Sequence, residues 1–414
     1  MKETMRGYNQ GNIQNMNRTL LLNLLRREKV CARTTLAERS GLKQATVTHI
    51  VNDFIAWGLV REIGFMTGSK GRRSIAISIN NDDVAVAGIR IARKNYSVGL
   101  FNLCGEALMI KRGRISTGQS AREILDIVIE QMDKLIQNFP DKKLLALGVS
   151  IPGPYNFRKG RISLVTGVKG WSEIALKEEL NVHFHIPVAV EEHANAAAMA
   201  QYWYSKDKNE PDVLVYIAVG QGVGAGIVSD GVLLKGDTGS AGEIGHTTID
   251  IHGPRCSCGN YGCLEMYCST IALTKRVNEV YQPEKEFDFQ EVVLLIKKKE
   301  PRAMDIFYEI CDYLSVGVVN VINSFNPQVV IIGDEICHIE PELMLERIKA
   351  NVKERVVPQI WETTKIKMSV IEQDSMVHGA AIVAIDEIFD NPSDYFETGD
   401  AEEMKNRFYN QHFI

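Results

Sequence analysis

The sequence contains no apolar run of the roughly 18 residues that a membrane-spanning helix requires. Its first eighteen residues, MKETMRGYNQGNIQNMNR, hold no apolar core of the kind found in signal peptides. Cysteine is scarce outside one cluster, because four of the eight cysteines lie between Cys256 and Cys268. These features argue against a helical membrane protein and against a disulfide framework. We therefore expect a cytoplasmic protein in which the clustered thiols bind a metal.

Charge is unevenly distributed along the 414 residues. Residues 1–80 hold thirteen Lys and Arg against five Asp and Glu, a formal charge of +8, whereas the rest of the chain carries −13. A chain of this length usually forms two or three domains. A small basic region joined to a large acidic one predicts that the basic region binds a polyanion and that the acidic region has a different role.

The basic region shows the pattern of three short helices. Residues 17–28 (NRTLLLNLLRRE) place leucines at helical spacing, and two further helices are predicted at about 35–40 and 43–56, with a turn at Gly41 between them. Two helices joined by a short glycine turn are typical of a helix-turn-helix, whose second helix enters the major groove of DNA.

The second helix of this pair has two distinct faces. Val47, Val51 and Phe54 recur at helical spacing, so we expect them to face a core. The opposite face carries side chains that can bond to base edges and phosphates. The predicted DNA-contacting residues on this face are Lys43, Gln44, Thr48, His49 and Asn52.

Two predicted strands, at 59–63 and 74–79, follow the helices and enclose a basic loop. The cations of this loop are Lys70, Arg72 and Arg73. A basic hairpin beside a recognition helix is typical of a wing that lies along the DNA backbone or reaches into the minor groove. Two other interpretations stay open, namely the solvated charged face of a small helical domain and a protein-binding tail.

From residue 84 onward, segments typical of strands alternate with segments typical of helices. Examples are VAVAGIRIA at 84–92, the amphipathic stretch AREILDIVIEQMDKLIQNF at 121–139 and the apolar run VVIIG at 329–333. This alternation predicts an α/β architecture. Because strand hairpins recur along it, we expect two similar lobes.

A set of soft metal ligands lies in the segment GEIGHTTIDIHGPRCSCGNYGCLE. It consists of His246 followed by Cys256, Cys258 and Cys263. One imidazole and three thiolates make a closed tetrahedral site, which is the structural type of zinc site. The alternative is a group of unrelated buried thiols, and His252 is a second candidate for the imidazole ligand.

Carboxylates and imidazoles near this segment offer the hydrogen-bonding groups that sugar hydroxyls need. Glu243 and Glu265 flank the metal segment, which would hold them rigidly. A capping or surface role is the alternative for each of these residues. The predicted ligand-binding residues are Glu192, His193, Glu243, His246 and Glu265.

The segment Gly220–Gly226 alternates glycines between two apolar stretches. Glycine-rich loops of this kind bring backbone N–H groups close to a phosphate. A tight hairpin requires glycine as well, so the pattern leaves phosphate binding and a purely structural turn as alternatives.

The basic and acidic regions together resemble the ROK family (repressors, open reading frames, kinases), in its repressor branch with an N-terminal winged helix. The resemblance runs from about residue 16 to residue 390 and is most specific in GEIGHTTIDIHGPRCSCGNYGCLE. Further matching segments are SIPGPYN, GWSEIALKEEL, HANAAA, VGQGVGAGI, INSFNPQVVIIGD and HGAAIVA.

The resemblance implies an α/β fold, with an N-terminal winged helix-turn-helix followed by a two-lobed, actin-like sugar-kinase body that holds a sugar in its cleft. It also implies structural Zn²⁺ at His246, Cys256, Cys258 and Cys263, and assembly as a homodimer or homotetramer. The implied domains are a winged helix-turn-helix at 1–80, a first lobe at 81–199 joined by a helix at about 375–390, a second lobe with the zinc site at 200–374, and a C-terminal extension at 391–414.

The chain departs from the family's kinase members at the phosphate-binding and catalytic positions. Kinase members carry an Asp-x-Gly-Gly-Thr type loop where this chain has GIRIARK at 88–94. They also carry Asn-Asp, with the Asp as general base, where this chain has Glu192-His193. Because phosphoryl transfer depends on positioned phosphates and an oriented nucleophile, we expect no kinase activity.

We therefore expect a sugar-responsive transcriptional repressor of a carbohydrate-utilisation operon. Its partners would be operator DNA and a sugar or sugar derivative, with no membrane partner. A ligand of different shape, or a phosphorylated or acidic ligand favoured by Arg90, Arg93 or Lys94, stays open. The alternatives are an ATP-dependent sugar kinase that also binds DNA, and a repressor controlled by a protein partner.

Overall fold

The chain folds into two compact units that together include all the described residues. The computed structural model describes residues 10–67, 73–153, 155–156, 160–162, 168, 170–205, 211–369, 371 and 375–396. Unit 1 contains the described residues up to Pro152, those between 157 and 191, and those from Ala380 onward. Unit 2 contains the described residues between Gly153 and Asn156 and those of Glu192–Gly379.

Unit 1 begins with three helices and a small sheet, which we call the head. The elements of the head are α1 (Gln10–Glu28), β1 (Val30–Ala32), α2 (Arg33–Ser40), α3 (Gln44–Ala56), β2 (Val60–Thr67) and β3 (Arg73–Ile79). The strands form an antiparallel sheet in the order β1-β3-β2. The three helices and the strands β2 and β3 follow the predicted order, whereas β1 was not predicted from the sequence.

The two central helices of the head confirm the predicted boundaries to within two residues. Helix α2 ends at Gly41, whose φ of 71° is the left-handed conformation that glycine adopts without strain. In α3 the predicted apolar positions Val47, Val51 and Phe54 are buried, together with Ile50. Burial of this stripe fixes which face of α3 remains open to solvent.

The remainder of unit 1 is built around a five-stranded sheet in the order β10-β7-β4-β5-β6. In chain order the elements from residue 84 to residue 192 are β4 (Val84–Ile91), β5 (Asn95–Phe101), β6 (Ala107–Arg114), α4 (Ala121–Ile136), β7 (Lys143–Ile151), β8 (Tyr155–Asn156, in unit 2), β9 (Arg161–Ile162), α5 (Leu176–Phe184) and β10 (Val188–Glu192, whose last residue lies in unit 2). Helix α4 starts with a capping box in which Ser120 and Glu123 exchange hydrogen bonds.

Unit 2 has its own five-stranded sheet, in the order β13-β12-β11-β14-β15. The elements that follow β10 are α6 (His193–Trp203), β11 (Val213–Val219), β12 (Val223–Ser229), β13 (Val232–Leu233), α7 (Glu265–Cys268), α8 (Thr270–Tyr281), α9 (Phe289–Lys297), α10 (Pro301–Phe325), β14 (Val329–Gly333), α11 (Pro341–Arg355), α12 (Pro358–Trp361), β15 (Lys365–Met368), α13 (Ser375–Asp390) and α14 (Pro392–Phe396). Helix α13 begins in unit 2 and continues into unit 1, which also contains α14.

The two five-stranded sheets have the same topology. In each, an antiparallel three-strand meander is followed by two further strands, so β4, β5, β6, β7 and β10 correspond to β11, β12, β13, β14 and β15. The first strand of each sheet pairs antiparallel with the second and parallel with the fourth. This repeated arrangement confirms the predicted α/β fold with two similar halves.

Helix α6 packs on β12 at a position where only glycine fits. A Cβ atom on Gly226 would lie 2.3 Å from the backbone oxygen of Ala194 and 2.6 Å from the Cβ of Ala198.

The predicted first lobe at 81–199 contains most of α6, whereas in the structure α6 belongs to unit 2. The predicted domain boundaries otherwise stay a prediction.

Among the described residues, no helix is both long and apolar enough to cross a membrane.

Candidate functional site

The four predicted metal ligands converge in unit 2. The ligand atoms of His246, Cys256, Cys258 and Cys263 all lie within 4.8 Å of one another. The Sγ of Cys256 is 3.7 Å from Nδ1 of His246, and the Sγ atoms of Cys258 and Cys263 are also 3.7 Å apart. Ligands about 2.3 Å from a tetrahedral zinc ion are separated by roughly 3.8 Å, so this donor set fits the ion.

Backbone hydrogen bonds hold the loop that carries the thiols. The N–H of Cys256 donates to the carbonyl of Asn260 at 2.8 Å, and the N–H of Gly259 donates to the carbonyl of Cys256 at 3.0 Å. The side-chain amide of Asn260 donates to the carbonyl of His246 at 3.1 Å and to Oγ1 of Thr248 at 2.9 Å. The loop is therefore ordered around the ligand atoms by contacts that need no ion.

Two glycines allow this loop to close. Gly259 and Gly262 have φ values of 97° and 62°, and a Cβ atom on Gly262 would lie 1.7 Å from the backbone oxygen of Asp250. The competing ligand candidate His252 is exposed and lies outside the four-residue group. The geometry thus favours His246 as the imidazole ligand.

Two of the predicted sugar-binding carboxylates lie close to the metal group. Nε2 of His246 is 3.8 Å from Oε2 of Glu243, so the two ring nitrogens of His246 face different partners. Burial raises the pKa of Glu243, the charge of His246 acts in the opposite direction, and the nearby charge of Glu265 raises it further. Glu243, His246 and Glu265 therefore lie close together, and we call them the polar cluster.

Glu265 also has a structural partner in the glycine-rich hairpin. Its Oε2 accepts a hydrogen bond from the N–H of Val223 at 3.0 Å. A Cβ atom on Gly222 would lie 2.7 Å from the same carboxylate oxygen. Because Gly222 has no side chain, the carboxylate of Glu265 can lie against the turn between β11 and β12.

A second carboxylate closes the same turn from the other side. A Cβ atom on Gly220 would lie 2.4 Å from Oδ2 of Asp334, the residue that follows β14. Asp334 has φ 77° and ψ −163°, a region that is populated almost entirely by glycine. Both glycines are thus explained by close carboxylates, which favours the structural interpretation of the Gly220–Gly226 pattern over phosphate binding.

The other two predicted ligand residues lie at the junction of β10 and α6. The side chain of Glu192 is almost fully buried, and its Oε1 accepts a hydrogen bond from the N–H of Tyr155 at 2.7 Å. A Cβ atom on Gly153 would lie 2.9 Å from the carboxyl carbon of Glu192. His193 is half-buried at the start of α6. Glu192 therefore contacts the chain at both Gly153 and Tyr155.

The segment at 88–94, where a phosphate loop is expected in kinase members of the family, consists of the end of β4 and the short turn that leads to β5. The N–H of Ala92 donates to the carbonyl of Asn95 at 2.9 Å, which leaves Arg93 and Lys94 at the tip. The guanidinium of Arg90 donates to Oδ1 of Asn95. The turn is closed by the protein's own groups, and its cations are half-buried or exposed.

The predicted DNA-contacting residues of α3 lie on its open face. Lys43, Gln44, His49 and Asn52 are exposed, and Thr48 is half-buried. Nδ1 of His49 lies 3.4 Å from Oδ2 of Asp53, and Oδ1 of Asn52 accepts a hydrogen bond from Arg33 at 3.1 Å. The N-terminal end of this face therefore offers a cation and an amide side chain to a binding partner.

The predicted wing corresponds to the hairpin of β2 and β3. Arg73 is exposed at the start of β3, whereas Lys70 and Arg72 lie outside the described residues. The cross-strand pair Phe65 and Ile75 is exposed on this hairpin, and Phe65 retains 74% of its accessible surface. The described part of the hairpin therefore presents apolar as well as basic side chains.

Sequence reasoning missed the contacts that depend on distant parts of the chain. No local pattern marks Asp334 as a neighbour of Gly220, and only the unusual order Gly333-Asp334 after an apolar strand hints at a constrained backbone. The role of Tyr155 as a backbone donor to Glu192 was likewise not visible, although SIPGPYN was noted as a family segment.

Comparison with known proteins agrees with this organisation. The sequence model described as "ROK family" matches residues 86–387. The xylose repressor of Caldicellulosiruptor bescii is 28% identical over 393 residues, which cover 92% of this chain and 98% of that repressor. This similarity includes the head as well as the two five-stranded sheets.

Solved structures support the same assignment. A ROK family transcriptional regulator, described as a homologue of the E. coli MLC protein, has a TM-score of 0.79 at 26% identity and covers 92% of this chain and 97% of its own. The ROK hexokinase of Thermus thermophilus has a TM-score of 0.64 at 25% identity and covers 74% of this chain and 100% of its own. Since the family match alone includes well over half of the residues, the chain belongs to the ROK family.

Proposed function

We propose that this protein is a sugar-responsive transcriptional repressor that binds operator DNA through α3 and lacks kinase activity. The observation that carries the proposal is the two-faced α3, which buries Val47, Ile50, Val51 and Phe54 and leaves polar side chains exposed. A relative that aligns over nearly its whole length is named a xylose repressor. Operator binding would require a cytoplasmic location.

The DNA-binding surface would consist of α3 and the β2–β3 hairpin. Lys and Arg side chains bond to phosphates, whereas Gln, Asn and His read base edges in the major groove. On a symmetric homodimer, two copies of α3 would meet a pseudo-palindromic operator. The proposed contacts are Lys43, Gln44, Thr48, His49, Asn52, Lys70, Arg72 and Arg73.

The effector would bind at the polar cluster of unit 2. Glu243, His246 and Glu265 lie close together there, and Glu192 and His193 are the further proposed contacts. To act as an inducer, the sugar must bind the DNA-incompetent state more tightly. A change from 1:99 to 99:1 requires about 5.5 kcal/mol of preference.

The metal would be structural Zn²⁺ held by His246, Cys256, Cys258 and Cys263. Four protein ligands leave no open position, so the ion would brace the loop rather than activate water. Nδ1 of His246 would face the ion while Nε2 lies towards Glu243. The ion would thereby fix the orientation of one proposed sugar contact.

The proposed absence of kinase activity is supported by the turn between β11 and β12. A nucleotide phosphate needs backbone N–H groups and cations in fixed positions. In the turn between β11 and β12, the carboxylates of Glu265 and Asp334 lie against Gly222 and Gly220. These negative charges would repel phosphate. In a coupled ADP-release assay with ATP and a panel of sugars, we expect no turnover above a blank without protein.

The proposal is tested by DNA capture with the full-length protein followed by titration. Genomic fragments retained by the protein are identified, and the affinity for the selected fragment is then measured with and without xylose, glucose and N-acetylglucosamine. We expect one of these sugars or a related sugar to weaken binding. A protein that retains no fragment specifically contradicts the proposal.

A charge-matched pair of variants then tests the role of α3. Lys43→Ala should weaken binding to all fragments and reduce the salt dependence of the affinity by about one unit of slope. Lys275→Ala removes an exposed lysine from α8 in unit 2 and should change neither quantity. Equal affinities for the two variants would exclude α3 as the DNA-contacting helix.

A further inference from the structure

The short C-terminal helix α14 and the end of α13 are bonded directly to the head. The side-chain amide of Asn15 in α1 donates to the carbonyl of Asp390 at 3.0 Å, and Oγ1 of Thr19 donates to the same carbonyl at 2.8 Å. The hydroxyl of Ser393 donates to Oδ1 of Asn15 at 3.0 Å. These bonds join residues about 370 positions apart in the sequence.

Arg18 lies at the centre of this contact and is buried, with 3% of its surface accessible. Its Nη1 donates to Oγ of Ser393 at 2.6 Å, and its Nη2 donates to Oδ2 of Asp53 at 2.7 Å. A buried guanidinium requires hydrogen-bond partners, and Ser393 and Asp53 are two of the partners of Arg18. Arg18 therefore connects α14 to the last part of α3.

An aromatic contact joins the same two helices. The guanidinium carbon of Arg18 lies 4.8 Å from the ring centre of Trp57, the residue that follows α3. The rings of Trp57 and Phe396 are stacked, with centres 5.4 Å apart and planes at 15°. Phe54 also packs against Trp57, with the two ring centres 6.0 Å apart.

Both contacts act on the C-terminal end of α3, away from the end that carries Lys43 and Gln44. The 13 residues of α3 span about 20 Å, so a tilt of about 10° at Asp53 would move Gln44 by roughly 2 Å. Hydrogen bonds to base edges require side chains held to within about 0.5 Å. The orientation of α3 therefore depends on what holds Asp53 and Trp57.

We propose that α14 is a positioning element for operator recognition, and that Arg18, Ser393 and Phe396 are positioning residues that act through Asp53 and Trp57. The proposal rests on the operator-binding function proposed above. It assigns a role to the segment Pro392–Phe396, which contributes no predicted DNA contact.

Two single substitutions in the full-length protein test the proposal. Ser393→Ala removes the acceptor of the hydrogen bond from Nη1 of Arg18, and Phe396→Ala removes the ring that stacks on Trp57. We expect each to raise the operator Kd roughly tenfold, as loss of one hydrogen bond to a charged group or one aromatic contact implies. Ser116→Ala, at an exposed serine before α4, serves as the matched control and should leave the Kd unchanged.

Two further readouts separate positioning from simple loss of folding. Stoichiometric titration gives the active fraction, which should stay at the wild-type value while the Kd rises. The salt dependence of binding should also keep its wild-type slope, since no phosphate contact is removed, in contrast to Lys43→Ala. Phe396→Tyr, which keeps a ring for stacking, should restore most of the affinity.

A double-substitution cycle tests the link through Arg18. Arg18→Lys keeps the charge but not the two-pronged geometry. If α14 acts through Arg18, adding Ser393→Ala to Arg18→Lys should cause little further loss, because the bond is already impaired. Fully additive losses contradict this route.

The outcomes are distinct. Wild-type Kd values for both Ser393→Ala and Phe396→Ala overturn the positioning role while leaving the proposed repressor function intact. A reduced active fraction with an unchanged Kd also overturns it, because α14 then only stabilises the head. If the unmodified protein binds no DNA fragment, the proposed function fails and the positioning role fails with it.

Discussion

The two five-stranded sheets share one topology, yet their first hairpins differ in charge and in what closes them. In unit 1 the turn between β4 and β5 carries Arg93 and Lys94, and Arg90 is bonded to Asn95. In unit 2 the turn between β11 and β12 is glycine-rich and is bordered by the carboxylates of Glu265 and Asp334. The same strand topology therefore includes one turn that carries positive charges and one turn that is bordered by negative charges.

The two turns thus offer different surroundings to a phosphate group within the same strand topology. Arg90, near the end of β4, is bonded to the side-chain amide of Asn95, and the N–H of Val223, at the start of β12, is bonded to the carboxylate of Glu265. Both contacts leave the strand pairing intact, because the strand ladders are formed by backbone groups.

The units also differ in how they are braced. Unit 2 contains the group His246, Cys256, Cys258 and Cys263. Unit 1 contains the contact of α14 with the head, through Arg18 and Trp57. Unit 2 thus has a candidate metal site, whereas in unit 1 the segment Pro392–Phe396 contacts the head.

The largest expected effect concerns the ion in unit 2. Cys258 is exposed, so without a metal its replacement by serine should cost almost nothing. With a structural ion, Cys258→Ser should reduce bound zinc from about one per chain to a small fraction. It should also lower the free energy of unfolding by more than about 3 kcal/mol. Zinc content and thermal unfolding measure the two effects.

The neighbouring residue supplies the control for this experiment. Ser257 is exposed in the same loop and carries no metal ligand, so Ser257→Ala should leave zinc content and unfolding unchanged. A chelator should shift the unfolding of the wild type towards that of Cys258→Ser. Equal stability of the two variants would show that the loop needs no ion.

An intermediate effect is expected where helices approach the sheets closely. On β12, Gly226→Ala should lower the free energy of unfolding by about 1–3 kcal/mol, because the new Cβ would lie 2.3 Å from the backbone of Ala194. Gly148→Ala on β7 should do the same in unit 1, where the nearest backbone oxygen, that of Ala380, would be 1.7 Å away. Denaturant titration gives these differences.

The control lies two residues away on the same strand. A Cβ atom on Gly224 would meet only the Cβ of Ala194, at 3.7 Å, which is ordinary contact. Gly224→Ala should therefore stay within about 0.5 kcal/mol of wild type. If Gly224→Ala and Gly226→Ala destabilise equally, the close packing of α6 on β12 is not what selects glycine.

Features set by nearby residues could be predicted from the sequence. The boundaries of α3 were predicted to within one residue, because apolar spacing and the glycine turn at Gly41 act over a few positions. The metal group was also predicted correctly as a cluster, since the spacing of Cys256, Cys258 and Cys263 restricts how that loop can fold. The α/β fold followed from alternating patterns along the chain.

Features set by tertiary contacts could not be predicted. Asp334 and Gly220 are more than a hundred residues apart, and Arg18 and Ser393 are separated by 375 positions. Nothing in the local pattern of either segment specifies the other. From the sequence alone the glycine-rich hairpin is therefore compatible with both phosphate binding and a structural turn, and no local pattern gives Arg18 a role.

The smallest expected effect again compares the two units, each of which has a two-pronged ion pair between helices. In unit 1 Arg122 bonds to Glu179, and in unit 2 Arg347 bonds to Asp312 with both distances at 2.7 Å. These arginines hold the pKa of Glu179 and of Asp312 below their usual values, mainly through the hydrogen bonds. Both pairs are partly exposed, so solvent screens them.

We therefore expect Glu179→Gln and Asp312→Asn each to lower the free energy of unfolding at pH 7 by less than about 1 kcal/mol. Because the folded-state pKa is depressed, the wild-type advantage is complete above the ordinary carboxyl pKa and is lost as the pH falls through the lowered value. Each variant should match the wild type in strongly acidic solution, as measured by denaturant titration across pH. Asp312 also accepts a hydrogen bond from Asn351, so a larger loss for Asp312→Asn than for Glu179→Gln would be consistent with the contacts. A loss for Glu179→Gln alone would mean that the ion pair of unit 2 contributes nothing measurable.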